Sequence, residues 1–342
     1  MLVSELKELL KNYKEEDLRL IISEMYKSMP KKLREEKDID TLLQDASAYM
    51  RIGKIEKAKN RQININALKQ EIDLFLDYAY KQYYFAPNNV VHKKERPKWR
   101  FKVKTYIQDL QGLSVDSAEG SIATKLLLKL YEMLSYACGY YIFNTENPFR
   151  SVGIEQTSLL ETVIARRLGN GINQENVKSA VDLVINSRVD RETLHSSLIC
   201  VLIMNLKSSD SKEIAIKQCK QLKKELQEVK EVPSKKSWSM ESSDYERKEK
   251  INNLVEMVFR INIELCEFDE AIQYYKKNYI EKDSEITLFV LLRLLWEYEL
   301  KEFWLHEYDK ALKNGVKPRE KLINIYEYIQ ENNSLPENFY IY

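Results

Sequence analysis

The chain has 342 residues, and its 54 basic and 53 acidic side chains leave a net charge of only +1. That balance argues against a histone-like or polybasic protein. With 8 glycines and 7 prolines, the chain holds about a third of the ordinary share of these turn-forming residues, so collagen-like, linker-like and many-turned β-sandwich structures are excluded. Hydrophobic residues make up 44%, which suffices for one or two globular domains.

Nothing in the sequence indicates secretion or a membrane. Glu5, Lys7 and Glu8 interrupt the only place near the N-terminus where an apolar signal core would fit. The longest uncharged stretch, 193–206, is shorter than the roughly 20 residues that a membrane span needs. The four cysteines form no C-x-x-C pair, which is typical of reduced thiols. We therefore expect a cytoplasmic protein with no membrane partner and no disulfide framework.

Helical periodicity starts at the N-terminus. Apolar residues recur at intervals of three and four, as on one face of an α-helix, and alternating patterns are scarce. The pattern predicts two short helices before Pro30, a third from Asp38 to Met50, and a longer one that ends before Pro87. A loop at 86–89 follows.

The middle third has the most regular spacing. An apolar run at 126–141 follows Asp116 and Glu119, whose spacing is typical of a capping box. Helical patterns then begin at intervals of 17 to 20 residues, near Glu155, Gln174, Arg191 and Ser211. Because short connections make neighbouring helices antiparallel, each pair would form a hairpin of about 35–40 residues, the unit size of helical solenoids. We therefore predict an all-α fold of antiparallel hairpins stacked in a right-handed, solenoid-like array.

Residues 231–245 interrupt this pattern. The stretch contains Pro233 and five serines but almost no aliphatic residue, which is typical of a linker or mobile loop. It would divide the chain into an N-terminal helical domain, 1–230, and a C-terminal helical domain, 246–342. Beyond it, the sequence predicts helices over 251–265, 268–280 and 286–312, and a last one near Pro318.

Residues 265–279 have a local resemblance to a known family. The stretch 266–275 reads CEFDEAIQYY, in which a small residue precedes an aromatic, an acidic pair, an alanine and a later aromatic. It is similar to the start of the second helix of a tetratricopeptide repeat. The resemblance implies that Ala271 lets two helices approach closely and that Phe268 and Tyr275 fill the space between hairpins. It also implies a protein-binding role for a tetratricopeptide-like C-terminal domain.

Basic residues concentrate in one part of the chain. Residues 51–104 contain 14 Lys and Arg against 5 Asp and Glu. Within twelve positions around Trp99 and Phe101, where Glu95 is the only acid, lie Lys93, Lys94, Arg96, Lys98, Arg100, Lys102 and Lys104. Cations interleaved with aromatics suit the binding of a single-stranded nucleic acid or another polyanion. We therefore take 81–104 as the candidate polyanion-binding segment.

A structural interpretation of this segment stays open. Trp99, Val103 and Leu110 follow one another at helical intervals. That spacing would turn Trp99 toward a core and leave the cations solvated or paired with acidic residues of the same chain. A short strand over 98–104 is another local alternative.

Arg150 is a second candidate. It follows the polar loop 144–149, which has aromatic residues on both sides, and its guanidinium would suit an anion or a peptide carboxylate. The alternative is an aromatic core that is capped by a structured loop.

No catalytic, cofactor-binding or metal-binding pattern is recognisable. His92, His195 and His306 lie in unrelated segments without the spacing of metal ligands. The stretch 169–171 lacks the Lys-Ser/Thr of a phosphate-binding loop, and Cys200 lies in an apolar run where we expect a buried packing residue. We expect no catalytic, cofactor or metal residues.

These observations favour a non-enzymatic scaffold or adaptor that binds a protein or peptide in a groove between stacked helices. The alternative from a different class is an RNA- or DNA-binding protein that uses segment 81–104. An enzyme of unfamiliar type around Arg150 is the third hypothesis.

Overall fold

The structure is a computed structural model that describes residues 9–36, 39–45, 63–169, 171–228 and 238–339. The regular elements of these residues are all helical, and none of these residues lies in a β-strand. The expected all-α class is therefore confirmed. The chain forms two compact units, Met1–Asn64 and Ile65–Tyr342, which we describe separately.

The described part of the first unit has three helices, α1 (Glu15–Ser28), α2 (Lys31–Glu36) and α3 (Ile39–Gln44). Tyr26 of α1 contacts the other two helices: its hydroxyl donates to Asp40 Oδ1 at 2.6 Å, and the Arg34 guanidinium lies 4.5 Å over its ring. The third predicted helix is observed as α3. Most of the first predicted helix, residues 1–8, and the end of the third, 46–50, lie outside the described residues.

The second unit has the remaining described helices. They are α4 (Ile65–Tyr80), α5 (Trp99–Gln111), α6 (Ala118–Gly139), α7 (Pro148–Val152), α8 (Gln156–Gly169), α9 (Gln174–Asn186), α10 (His195–Asn205), α11 (Ser209–Glu228), α12 (Trp238–Glu264), α13 (Phe268–Asn278), α14 (Ser284–Glu297), α15 (Lys301–Lys313) and α16 (Glu320–Asn332). A short 3-10 helix, Arg96–Lys98, leads into α5.

Helices in the middle of the unit pack on their second neighbours in the chain. α8 packs on α10, α9 packs on α11, and α10 packs on α12. The helix starts follow the predicted spacing within two residues, except that α10 begins at His195 rather than near Arg191. The delay arises because residues 191 and 192 form a turn before the helix.

The N-terminus of α6 differs from the predicted capping box by one residue. Ser117 Oγ accepts the Gly120 N–H at 2.9 Å, so Ser117 is the N-cap. An N-cap oxygen must reach the N–H two or three residues further on while its own backbone is still extended. Ser117 meets both conditions, and the assignment of this role to Asp116 is wrong.

α12 contributes to two hydrophobic cores. One of its faces packs with α4–α11 and presents Leu254, Met257, Val258 and Ile261. The other packs with α13–α16 and presents Ile251, Val255, Phe259 and Ile263. The four-residue spacing of the second set is the period of a single helix face.

The predicted linker 231–245 overlaps the start of α12. Residues 238–245 are helical, and residues 231–237 lie outside the described residues. The helix at 238–245 is stabilised by packing of its later turns in two cores, although its first turns have a weak helical pattern. The linker at 231–245 stays a prediction. The division into domains 1–230 and 246–342 stays a prediction.

Among the described residues, four helices are followed by a non-glycine residue in the left-handed conformation. These residues are Gln82, Cys266, Glu299 and Asn333, with φ of 60°, 61°, 56° and 53°. After Glu299, the Leu300 N–H donates to the Leu295 carbonyl at 2.9 Å, as in a helix C-cap that glycine usually completes. The prediction of one helix over 286–312 is therefore wrong: α14 ends at Glu297, and α15 begins at Lys301.

Replacing Glu299 with glycine should raise the free energy of unfolding by about 1 kcal/mol, because glycine adopts the left-handed backbone without the cost that a Cβ imposes. Glu299 is exposed, so loss of its side chain removes little packing. Urea denaturation measures the change. Glu299→Ala is the matched control, and a gain of the same size in that variant would contradict the backbone explanation.

Candidate functional site

Segment 81–98 is held by hydrogen bonds to its own side chains, with Asn88 at the centre. The Asn88 amide donates to two backbone carbonyls at 2.7 and 2.8 Å. Its Oδ1 accepts the N–H groups of Val90 and Val91 at 2.9 and 2.7 Å. One side chain therefore satisfies backbone groups on both sides of the turn, which gives the loop a defined shape without regular secondary structure.

Two of the seven predicted cations have partners within this segment. Arg96 closes the loop, since its Nε donates to the Val91 carbonyl and its Nη2 to the Asn88 carbonyl, both at 3.1 Å. Lys98 Nζ lies 2.7 Å from Glu95 Oε1, and this contact holds the pKa of the Glu95 carboxyl below its ordinary value. These two cations are already engaged and contribute least to binding a ligand.

The other five predicted cations are exposed, and none forms an ion pair with a described acidic residue. They are Lys93, Lys94, Arg100, Lys102 and Lys104. The Arg100 guanidinium lies 4.9 Å over the ring of Phe101, which is 59% exposed. The sequence left open that these cations pair with acidic residues of the same chain. Among the described contacts, Lys98 forms such a pair, with Glu95.

Trp99 faces the core. Its ring stacks on Phe143, with centroids 3.8 Å apart and planes at 9°, and both rings are almost fully buried. Val103 and Leu110 are buried on the same side of α5. The helical interpretation of this stretch is confirmed, and the short strand over 98–104 is wrong because the apolar residues follow the helical period.

The segment packs against the loop 140–147, which carries Phe143. At the surface of this contact the ring of Phe85 stacks on Tyr141, with centroids 5.8 Å apart. Gln82 Nε2 also donates to the Tyr141 carbonyl at 3.2 Å. Phe85 and Tyr141 remain 40% and 58% exposed. We name the five exposed cations, together with the rings of Phe85, Phe101 and Tyr141, the basic–aromatic surface.

Arg150 has a different environment. Its Nη1 lies 2.6 Å from Glu192 Oε1, and both side chains are largely exposed. The cavity that it borders is also lined by Glu155 and Asp190. An anion at Arg150 would have to compete with Glu192 and approach further carboxylates, so the site suits an anion less well than the basic–aromatic surface does. Anion or peptide docking at Arg150 stays a prediction.

Metal-ligating side chains do not cluster in the part of the chain that the structure describes. No group of three or more His, Cys, Asp or Glu side chains there is placed to hold a metal ion. Cys200 is half-buried on α10, where we expected full burial, and desolvation raises the pKa of its thiol. None of the described helices has both the length and the apolar composition that a bilayer crossing requires.

Comparison of the chain with protein-family models, with curated proteins and with solved structures gives no match. The tetratricopeptide resemblance therefore depends on residues 265–279 alone and stays a prediction. In this region Ala271 is fully buried, and the Phe268 ring lies 5.5 Å from the ring of Phe303 on α15.

Sequence reasoning missed Tyr141 as a surface residue of the site. Phe85 and Tyr141 are 56 positions apart, and no local pattern indicates that their rings meet. The sequence feature that could have indicated this contact is Phe143, two residues after Tyr141. Its burial against Trp99 brings the loop 140–147 to the basic segment.

Replacing Asn88 with alanine should lower the free energy of unfolding by about 1–3 kcal/mol, because it leaves partly buried backbone groups without their hydrogen bonds. Asn89→Ala is the matched control: Asn89 is exposed in the same turn, and its loss should change stability by less than about 0.5 kcal/mol. Thermal and urea denaturation of both variants measure the difference. Equal stability of the two variants would show that the loop does not depend on Asn88.

Proposed function

We propose that the chain is a non-enzymatic helical scaffold that binds single-stranded nucleic acid through its basic–aromatic surface. The observation that carries the proposal is the combination of five exposed cations, none in an ion pair with a described acid, with three exposed aromatic rings. Cations release counterions from the phosphate backbone, and rings stack on unpaired bases. A duplex hides its base faces, so these rings favour a single strand.

The fixed shape of the segment supports this proposal. Asn88 and Arg96 hold the loop, and the stack of Trp99 on Phe143 anchors α5 below the surface. A surface that is already ordered loses less conformational entropy on binding than a free basic tail would.

The scaffold in this proposal is a solenoid-like array of antiparallel hairpins. α8, α10 and α12 pack on one another in turn, and α9 packs on α11, so alternate helices contribute to two layers. Packing between second neighbours is expected where each hairpin stacks on the next. α12 would extend the array into the C-terminal hairpins, because it contacts α10 and also packs against α13.

A gel-shift experiment with a mixed-sequence single-stranded oligonucleotide tests this function. The triple variant Lys93→Glu, Lys94→Glu and Lys102→Glu should bind at least about tenfold more weakly than the unmodified protein at low salt, and the slope of log K against log salt should flatten by about 2. The matched control reverses three exposed lysines elsewhere, Lys282, Lys313 and Lys317, with the same change in total charge.

A second pair of variants separates stacking from charge in the same assay. Tyr141→Leu should weaken binding by about 1–3 kcal/mol, whereas Tyr141→Phe keeps the ring and should bind normally. Equal affinity of the two charge-reversed proteins, or absence of salt-sensitive binding in the unmodified protein, would exclude this function.

Protein binding is a second candidate function, and one groove favours it. A cavity of about 660 Å³ between α13 and α15 is lined by residues of both charges. Lys276 Nζ and Glu307 Oε2 form an ion pair at 2.5 Å across it, while Lys277 and Lys310 are exposed. Lys277 and Lys310 suit acidic side chains of a peptide, and Asp269 and Glu302 of the same lining suit basic ones. Such a groove is in line with the adaptor role that the local resemblance implies.

Affinity purification with the whole chain as bait tests this second candidate. A specific partner should be lost on Lys277→Glu together with Lys310→Glu, because the reversed charges repel the acidic side chains that these lysines would contact, and it should be retained by the Lys313→Glu, Lys317→Glu control. Recovery of the same proteins by both variants would argue against the groove.

A further inference from the structure

A cavity of about 430 Å³ is lined by residues of α4, α6 and α9. Tyr80 of α4 and Tyr136 of α6 contribute aromatic rings that meet edge to face, with centroids 5.4 Å apart. Both rings are partly exposed, at 47% and 39%. The same cavity is lined by two carboxylates, Glu132 of α6 and Asp182 of α9. Aromatic and acidic side chains from different helices therefore meet in one concave site.

The two carboxylates have no ion pair and no hydrogen bond with a described residue. Desolvation raises the pKa of both carboxyl groups above their ordinary values, and it is the largest influence on each. Arg167 and Lys129 oppose this rise for Glu132, which is exposed, and Lys178 opposes it for Asp182. Lys129 is itself 2.7 Å from Asp73 Oδ1. Desolvation is still the largest influence at each carboxylate, so the ionised forms are held in a less favourable environment than water offers.

The cation that lines this cavity is engaged elsewhere. The Arg188 guanidinium lies 4.8 Å over the ring of Tyr140, and its Nη2 is 3.4 Å from Glu246 Oε1. The Arg188 side chain can pass Gly139 only because glycine has no Cβ: a Cβ at that position would lie 2.5 Å from Arg188 Cδ. Arg188 forms no ion pair with either cavity carboxylate, so it does not neutralise them.

We propose that this cavity binds a small organic cation, an ammonium or guanidinium group on a short apolar chain. The charged group lies at Glu132 and Asp182, and the chain lies along Tyr80 and Tyr136. Carboxylates bind N–H cations through charge-assisted hydrogen bonds, and tyrosine faces attract positive charge. Two carboxylates at one site repel phosphates and carboxylic acids, so the ligand class is opposite to that of the basic–aromatic surface.

Isothermal titration calorimetry with three probes tests the ligand class. Agmatine carries a guanidinium and an ammonium group and should bind. Choline has a charge but no N–H donor and should bind more weakly, and 1-pentanol, which has no charge, should not bind. Saturable binding of 1-pentanol with the affinity of agmatine, or absence of agmatine binding, would overturn the proposal.

Glu132→Gln and Asp182→Asn should each weaken agmatine binding about tenfold or more, because each removes a charge-assisted contact. Glu161→Gln, at an exposed acid on α8, is the matched control and should leave binding unchanged. Tyr136→Phe should bind normally, and Tyr136→Leu should bind more weakly. Full affinity in both carboxylate variants would overturn the proposal.

The stability of the carboxylate variants and the pH dependence of agmatine affinity distinguish a binding role of Glu132 and Asp182 from a purely structural one. Because each folded-state pKa lies above the unfolded value, ionisation costs stability as pH rises, so both carboxylate variants should be at least as stable as the unmodified protein at neutral pH. Agmatine affinity should fall on acidification, starting above the ordinary carboxyl pKa of about 4. A clear loss of stability in both variants would indicate structural carboxylates and contradict the proposal.

Discussion

The stack of Trp99 on Phe143, at 3.8 Å between centroids, determines which side of α5 meets water. A tryptophan ring that is buried at the first residue of the helix fixes the rotation of all the turns that follow, because residues three and four positions on must share its face. Arg100, Lys102 and Lys104 are then left on the outer side of α5, away from the face that Trp99 and Val103 share. The same contact holds the loop 140–147 against the basic segment, so the exposed rings on that loop depend on a buried one.

The pattern of apolar residues was sufficient to predict helix class and most helix positions, because burial of one face imposes the 3.6-residue period on the sequence. It failed at helix ends that tertiary packing determines. Glu299 occupies a left-handed position that glycine usually takes, and nothing local distinguishes it from a residue within a helix. At the start of α12 the pattern failed in the other direction: it predicted no helix where one is observed. The later turns of α12 are anchored in two cores, and the helix continues from them back toward its N-terminus.

The candidate sites divide in the same way. A local charge pattern located the basic segment, but it could not show that Arg96 closes a loop or that Lys98 pairs with Glu95, because those roles depend on the conformation of the turn. The cavity between α4, α6 and α9 has no sequence signal at all. Glu132 and Asp182 are 50 positions apart and are ordinary acids on amphipathic helices until the fold brings them to one cavity.

A net charge of +1 therefore conceals two surfaces of opposite character in one compact unit. They are connected through consecutive residues of one chain segment. Tyr141 stacks on Phe85 at the basic–aromatic surface, while Tyr140 stacks on Tyr136, which lines the acidic cavity, with centroids 4.4 Å apart. Because Phe143 fixes this segment to the core, the two aromatic contacts hold their positions together. Two consecutive residues of one loop therefore make a ring contact at each of the two surfaces, so a shift of this loop would change both.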